Sequence, residues 1–349
     1  MRRFFLTLLV AGCTLSFVNI QAQNFEHAGD YMGFIGEANN KLASTYMAYL
    51  SATAHNKSAR KIEKKRLEVV NGIYETRVKI QNMPYWKGDK SYRDSTVAYY
   101  RLLEKVFSEQ YAKIVNMEDI AEQSYDAMEA YLLAKEKAME KLEEANAVSQ
   151  TAQDVFAAKN NVTLINEETK LGKKHKIAGD LMKHYNELYL IFFKPYKEEI
   201  YLLENMNAEK PGKIVAIEQN INAMATAAEE GLVKLRSITA FNNDATLVQA
   251  SREALQFYKE EASSAKSFTD FFVQVEEFKK VEKAFKAKPN SKLTKADIDD
   301  FNKQAKDMNE ASNKFNTLNN QLNKRRSAML DAYNKAVSKY MDKYMPKHK

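Results

Sequence analysis

Cysteine is almost missing from this 349-residue chain: the sole example is Cys13, so no internal disulfide can staple the fold. Glycine and proline are scarce as well, at ten and five, which leaves few turns and favours long uninterrupted elements. After the first 22 residues no segment approaches the ~20 consecutive apolar residues that a membrane-spanning helix requires. Also missing are a Gly-x-Ser-x-Gly elbow, a glycine-rich phosphate loop and a His-Glu-x-x-His helix, the local signatures of several large enzyme classes.

What the chain does have is helix-forming composition. Apolar residues make up 45% and charged residues 28%, enough to bury one face of each helix and solvate the other. Lysines and arginines alternate with acids in runs such as Lys61-Ile62-Glu63-Lys64-Lys65-Arg66-Leu67-Glu68, the pattern of a solvated helix face. Without Arg2 and Arg3 the net charge of +7 falls to +5, and the interspersed signs argue against nucleic-acid binding. The same interspersion argues against a membrane-surface helix, which needs segregated basic and apolar faces.

The N-terminus reads as an export signal over residues 1–22: Met1-Arg2-Arg3, an apolar stretch from Phe4 to Val18, and a small residue at Ala22. Val10-Ala11-Gly12-Cys13 also resembles a lipobox, whose cysteine would be lipidated. The apolar run passes through Cys13 to Val18, however, so cleavage near Ala22 and a lipid-free product are expected.

Beyond the signal the expected fold is all-α: long antiparallel helices in two tandem bundles, residues 23–161 and 162–349. Helices are predicted from about Ala28 to His55, Ser58 to Met83, Asp89 onward, to about Lys159, and from Thr163 with loosening at Gly172 and Gly179 and a kink at Pro195. Further helices follow over Lys213 to Thr239 and Asp244 to Ala287, and a last one opens at Thr294. Ser91 with Asp94 three residues on resembles a capping box, as does Thr294 with Asp297. Val97, Tyr100, Phe107, Tyr111 and Ile114 form one expected buried stripe. Phe301, Met308, Phe315, Leu322, Met329 and Ala336 fall seven residues apart, a coiled-coil-like seam.

The halves echo each other, as a duplicated unit would. Ala28-Gly29-Asp30-Tyr31-Met32 recurs as Ala178-Gly179-Asp180-Leu181-Met182. Val78-Lys79-Ile80, Met83, Trp86 and Asp89 recur 155 residues later as Val233-Lys234-Leu235, Ile238, Phe241 and Asp244.

Several strings are distinctive: Ser58-Ala59-Arg60-Lys61; Met83-Pro84 with Gly88-Asp89-Lys90-Ser91-Tyr92-Arg93-Asp94-Ser95; Ala121 to Tyr131; and Tyr189-Leu190-Ile191-Phe192-Phe193-Lys194. Through them the chain resembles a family of bacterial surface proteins from leptospires and the Bacteroidetes, of uncharacterised function. The resemblance implies an exported helical envelope protein and carries over no catalytic residues.

Candidate sites are sparse. His184 and Glu187 share a helix face, too few ligands for zinc, and no cofactor or metal is expected. The acid pairs Glu143-Glu144, Glu167-Glu168, Glu198-Glu199 and Asp299-Asp300 point about 100° apart on a helix and read as solvated. Tyrosine and methionine abundance reads as packing between long helices. The loop holding Tyr85, Trp86, Lys87, Asp89 and Arg93 is the candidate partner contact, because loops on rigid scaffolds carry recognition and this one has the only tryptophan. An aromatic at Phe241 in the matching loop suggests instead that Trp86 plugs its bundle. The expected function is thus a non-enzymatic envelope or surface protein that binds an envelope or host component. The alternative is an enzyme or small-ligand carrier with a site between helices.

Overall fold

The computed structural model describes residues 25–55, 59–110, 121–164, 170–209 and 211–347. The expected signal, Cys13, Ser58, Tyr111, Ile114 and the Glu167-Glu168 pair lie outside these residues. The fold is all-α, with eight α-helices among the described residues: α1 (Ala28–Ala54), α2 (Ala59–Gln81), α3 (Ser91–Lys105), α4 (Tyr125–Lys159), α5 (Lys170–Asn207), α6 (Lys213–Lys234), α7 (Thr246–Ala287) and α8 (Lys295–Tyr344). α3 runs on as a π-helical turn over Val106–Gln110.

Local chemistry sets the helix ends. The Ser124 hydroxyl accepts from the Ala127 backbone N–H to cap α4, and Thr294 with Asp297 forms the expected reciprocal capping box on α8. The box expected at Ser91 and Asp94 is not made. The Ser91 hydroxyl donates back to Asp89 at 2.6 Å, while Arg93 takes the Asp94 carboxylate at 2.8 Å. Neither Gly172, Gly179 nor Pro195 interrupts α5, where burial of Leu181, Leu188, Phe192, Phe193 and Leu202 against neighbouring helices outweighs local propensity. α6 ends at Lys234, short of Thr239, and the chain crosses to α7 through a short 3-10 turn at Phe241–Asn243.

Apolar side chains gather in two large clusters. One joins α1 to α4 through Tyr31, Ile35, Ile73, Ile80, Val97, Tyr100 and Phe156. The other joins α5 to α8 through Leu181, Leu188, Ile217, Met224, Leu255, Tyr258, Leu322 and Tyr340, and takes Met47 and Ala54 from α1. A small third cluster holds Met128 of α4 against Phe193 of α5, so α5 touches both groups. Within each group consecutive helices pack as antiparallel neighbours: α1 on α2, α2 on α3, α3 on α4, then α5 on α6, α6 on α7, α7 on α8. Gly231 lets α6 close on its neighbours, since a Cβ there would stand 2.9 Å from Leu255 and 3.0 Å from Ile191.

α7 and α8 outrun the body. From Val273 to Gln321 no residue is buried, and the ring contacts of this stretch pair the two helices with each other: Phe285 stacks on Phe301 at 4.2 Å and Phe278 on Phe301 at 5.9 Å. All six seam positions from Phe301 to Ala336 are half-buried or buried, as their spacing predicts. The α7 side of this arm, 15 residues, is about 22 Å long at 1.5 Å per residue. No helix among the described residues is long and apolar enough to cross a membrane.

Candidate functional site

The loop between α2 and α3 is built as a latch. Lys87 and Gly88 both adopt positive φ, 48° and 84°, which reverses the chain so that the Asp89 N–H reaches the Trp86 carbonyl at 2.8 Å. Asp89 then accepts from the Ser91 backbone N–H at 2.9 Å and takes Lys159, at the end of α4, at 2.8 Å. Lys159 and the Ser91 hydroxyl hold the Asp89 carboxyl down to about 2. Trp86 turns inward, 7% exposed, between the ring of Tyr31 and the Asn160 carboxamide, to which its indole N–H donates at 2.8 Å. Of the five candidate contact residues, only Tyr85 and Lys87 are exposed. Arg93 lies over the Tyr85 ring at 3.9 Å and donates to the Met83 carbonyl at 2.8 Å.

The second group of helices carries a turn of the same construction. Asn242 and Asn243 have φ of 51° and 59°, and the Asp244 N–H reaches the Phe241 carbonyl at 3.0 Å. Asp244 accepts from the Thr246 N–H at 2.9 Å and takes Lys343, near the end of α8, at 2.7 Å. Lys343 and Thr246 hold its carboxyl well below the usual range. Phe241 closes this end against His184 and Tyr344. His184 is therefore an aromatic-packed side chain: it is 8% exposed, its Nε2 has no hydrogen-bond partner, and burial depresses its basicity although Glu187 opposes this. No group of three or more metal-ligating side chains occurs among the described residues.

One expectation fails outright. Glu199 is not on a solvated face; it is completely buried, as is Glu261 at 1%. Arg326 of α8 donates through Nε to Glu199 of α5 and through Nη2 to Glu261 of α7, and through Nη1 to Asn323. The second oxygen of each carboxyl, and the Tyr258 hydroxyl, are buried without a further partner. Burial and the adjacent Glu199 carboxyl push Glu261 up to about 9, so it keeps its proton at neutral pH. The other acids read as solvated behave as expected: Glu143, Glu144, Asp299 and Asp300 are exposed. Glu198, half-buried, accepts from Asn220 at 3.0 Å.

Beside this trio, though not lined by it, runs an open groove of about 670 Å³ between α7 and α8. Its floor is small, with Ala250, Ala328 and Ala336, and its walls are Phe257, Met329 and Tyr333. Glu199, Glu261 and Arg326 do not line the groove, and the acid pair holds one proton and one arginine. No family model, curated protein or solved structure matches the chain.

Proposed function

We propose that the chain is an exported, non-enzymatic protein of the cell envelope, built from two duplicated helical units over residues 23–161 and 162–349, which presents the α7–α8 arm to another envelope component or a host molecule. The observation that carries this reading is the arm, because two helices extended past their own core expose surface that folding alone does not need. Export is supported by the basic and apolar start of the chain and by the resemblance to envelope surface proteins. Duplication is supported by the matched turns, where Trp86, Lys87, Gly88, Asp89 and Ser91 answer to Phe241, Asn242, Asn243, Asp244 and Thr246, and by a lysine from the fourth helix of each unit on each aspartate.

A photo-crosslinking residue in place of Ile298 on the arm, and another in place of Val148 on the body, tests the reading in the native envelope. Adducts are expected from position 298; adducts from position 148 alone, or from neither, would refute it. The groove favours a second reading, a carrier of a small apolar molecule, because Phe257, Met329 and Tyr333 offer it an apolar wall. Displacement of a groove-bound apolar dye by Ala332→Trp would support the carrier over the arm.

A further inference from the structure

The distal layer of the arm, between Glu277 of α7 and Asp307 of α8, is rich in lysine. Residues 278–306 hold nine lysines against Glu282, Asp297, Asp299 and Asp300, and the next turn toward the body carries Glu276, Glu277, Asp307 and Glu310. Three of those lysines are occupied: Lys286 pairs with Glu282 at 2.7 Å, Lys288 with Asp297 at 2.5 Å and Lys306 with Glu310 at 4.0 Å. Lys279, Lys280, Lys283, Lys292, Lys295 and Lys303 are exposed and have no carboxylate within 4.0 Å. Along each helix the charges look mixed, but the hairpin between α7 and α8 folds lysines from both helices and from the turn around one end.

We infer that this end of the arm docks on an anionic lipid surface, an inference that rests on the envelope reading and names its partner's chemistry. Three features favour lipid over a nucleic acid. The cations surround the end of a rod instead of running in a stripe along a phosphate backbone. All nine are lysine, a point charge suited to mobile headgroups, with no arginine to fork onto fixed phosphates. The turn and the first helical turn of α8 also carry aliphatic side chains, Leu293 half-buried and Ile298 at 42% exposure, which an interface accepts and a phosphate backbone does not. Two or more such weak signals together are what stable peripheral binding requires.

The test uses the mature form beginning at Gln23, so that the apolar start does not contribute, in sedimentation with vesicles. Vesicles of equal phosphatidylglycerol and phosphatidylcholine should bind it at low salt and release it as salt rises, and pure phosphatidylcholine vesicles should not bind. At about fivefold per lysine, K279Q/K280Q/K283Q/K292Q should weaken binding by up to several hundredfold, and at least tenfold where the charges lie off the surface, with unchanged helicity by circular dichroism. Neutralising four exposed lysines of the body and α8 stem, K64Q/K141Q/K266Q/K335Q, should leave at least a third of it. Equal loss in both variants, equal binding to neutral vesicles, or tighter tip-dependent binding to duplex DNA would overturn the lipid assignment. The crosslinking arm separates the two ideas: protein-only adducts at position 298 would leave the interaction reading standing while this inference falls.

Discussion

Replacing Glu261 by glutamine should make the protein more stable, and increasingly so as pH rises. Glutamine keeps an oxygen for Arg326 and removes the ionisation. The sign follows from linkage. Burial raises the folded-state affinity of Glu261 for its proton above that of an exposed glutamate, so between about 4.5 and 9 the folded chain binds more protons than the unfolded chain, and stability falls as pH rises through that window. Keeping at pH 7 a proton that an exposed glutamate releases near 4.5 costs the folded state about 3–4 kcal/mol, at roughly 1.4 kcal/mol per pH unit. Because Glu261 is 1% exposed, solvent does little to screen this. Urea unfolding followed by circular dichroism at pH 5, 6, 7 and 8 should show wild type and E261Q nearly equal at pH 5. The variant should be ahead by about 3–4 kcal/mol at pH 7, and further ahead at pH 8. A gap that is constant, or that narrows with rising pH, would refute the protonated pair. Substituting both carboxyls, E199Q/E261Q, should reverse the gain, because Arg326 then lies buried without a carboxylate, at about 3–5 kcal/mol.

Other outcomes follow from the two latches. Trp86→Ala should destabilise by about 3–5 kcal/mol and Asn160→Ala by about 1 kcal/mol, read from urea midpoints, whereas a recognition role for Trp86 would leave stability unmoved. The sole tryptophan should emit as a buried indole and shift to the red on unfolding. Asp89→Ala should lose about 1 kcal/mol at pH 7; since the folded carboxyl is held near 2, that contribution is complete above about 4 and disappears as pH falls toward 2, where variant and wild type should converge. His184→Phe should fold at least as stably as wild type, because it replaces a partnerless nitrogen among Phe241 and Tyr340 by ring carbon, and thermal unfolding would register the change.

The fold was legible because helix formation leaves strong marks in one dimension: 3.6-residue apolar spacing, a Thr294 cap, left-handed Asn161 after α4, and a seven-residue seam whose Phe301 and Phe315 stack on α7 rings. Boundaries were legible only where local chemistry controls them. The Ser91 box failed because Asp89, two residues earlier, competes for the same hydroxyl, and Arg93 claims the second acid. The continuity of α5 through Pro195 comes from packing against other helices, which spacing within α5 does not contain.

The buried acids show most sharply where one-dimensional reading ends. Glu198 and Glu199 are neighbours in sequence, yet one bonds to Asn220 at the edge and the other is sealed inside. A signal was present in the register: Glu199 continues the row of Phe192, Tyr196 and Leu202, Glu261 falls between Tyr258 and Ala262, and Arg326 lies four residues after Leu322. Each is a charge on an apolar row, and each alone would be costly to bury. What makes burial tolerable is that three helices bring two acids, one proton and one arginine to the same point, and that coincidence exists only in three dimensions. The same logic applies to the arm. Its lysines look like an ordinary mixed face until a hairpin of two long helices gathers them at one end, with Glu276, Glu277, Asp307 and Glu310 one turn behind them. Both features arise where helices meet or turn back, so in this chain the sequence pattern of each helix describes the fold, and the chemistry lies in how the helices are paired.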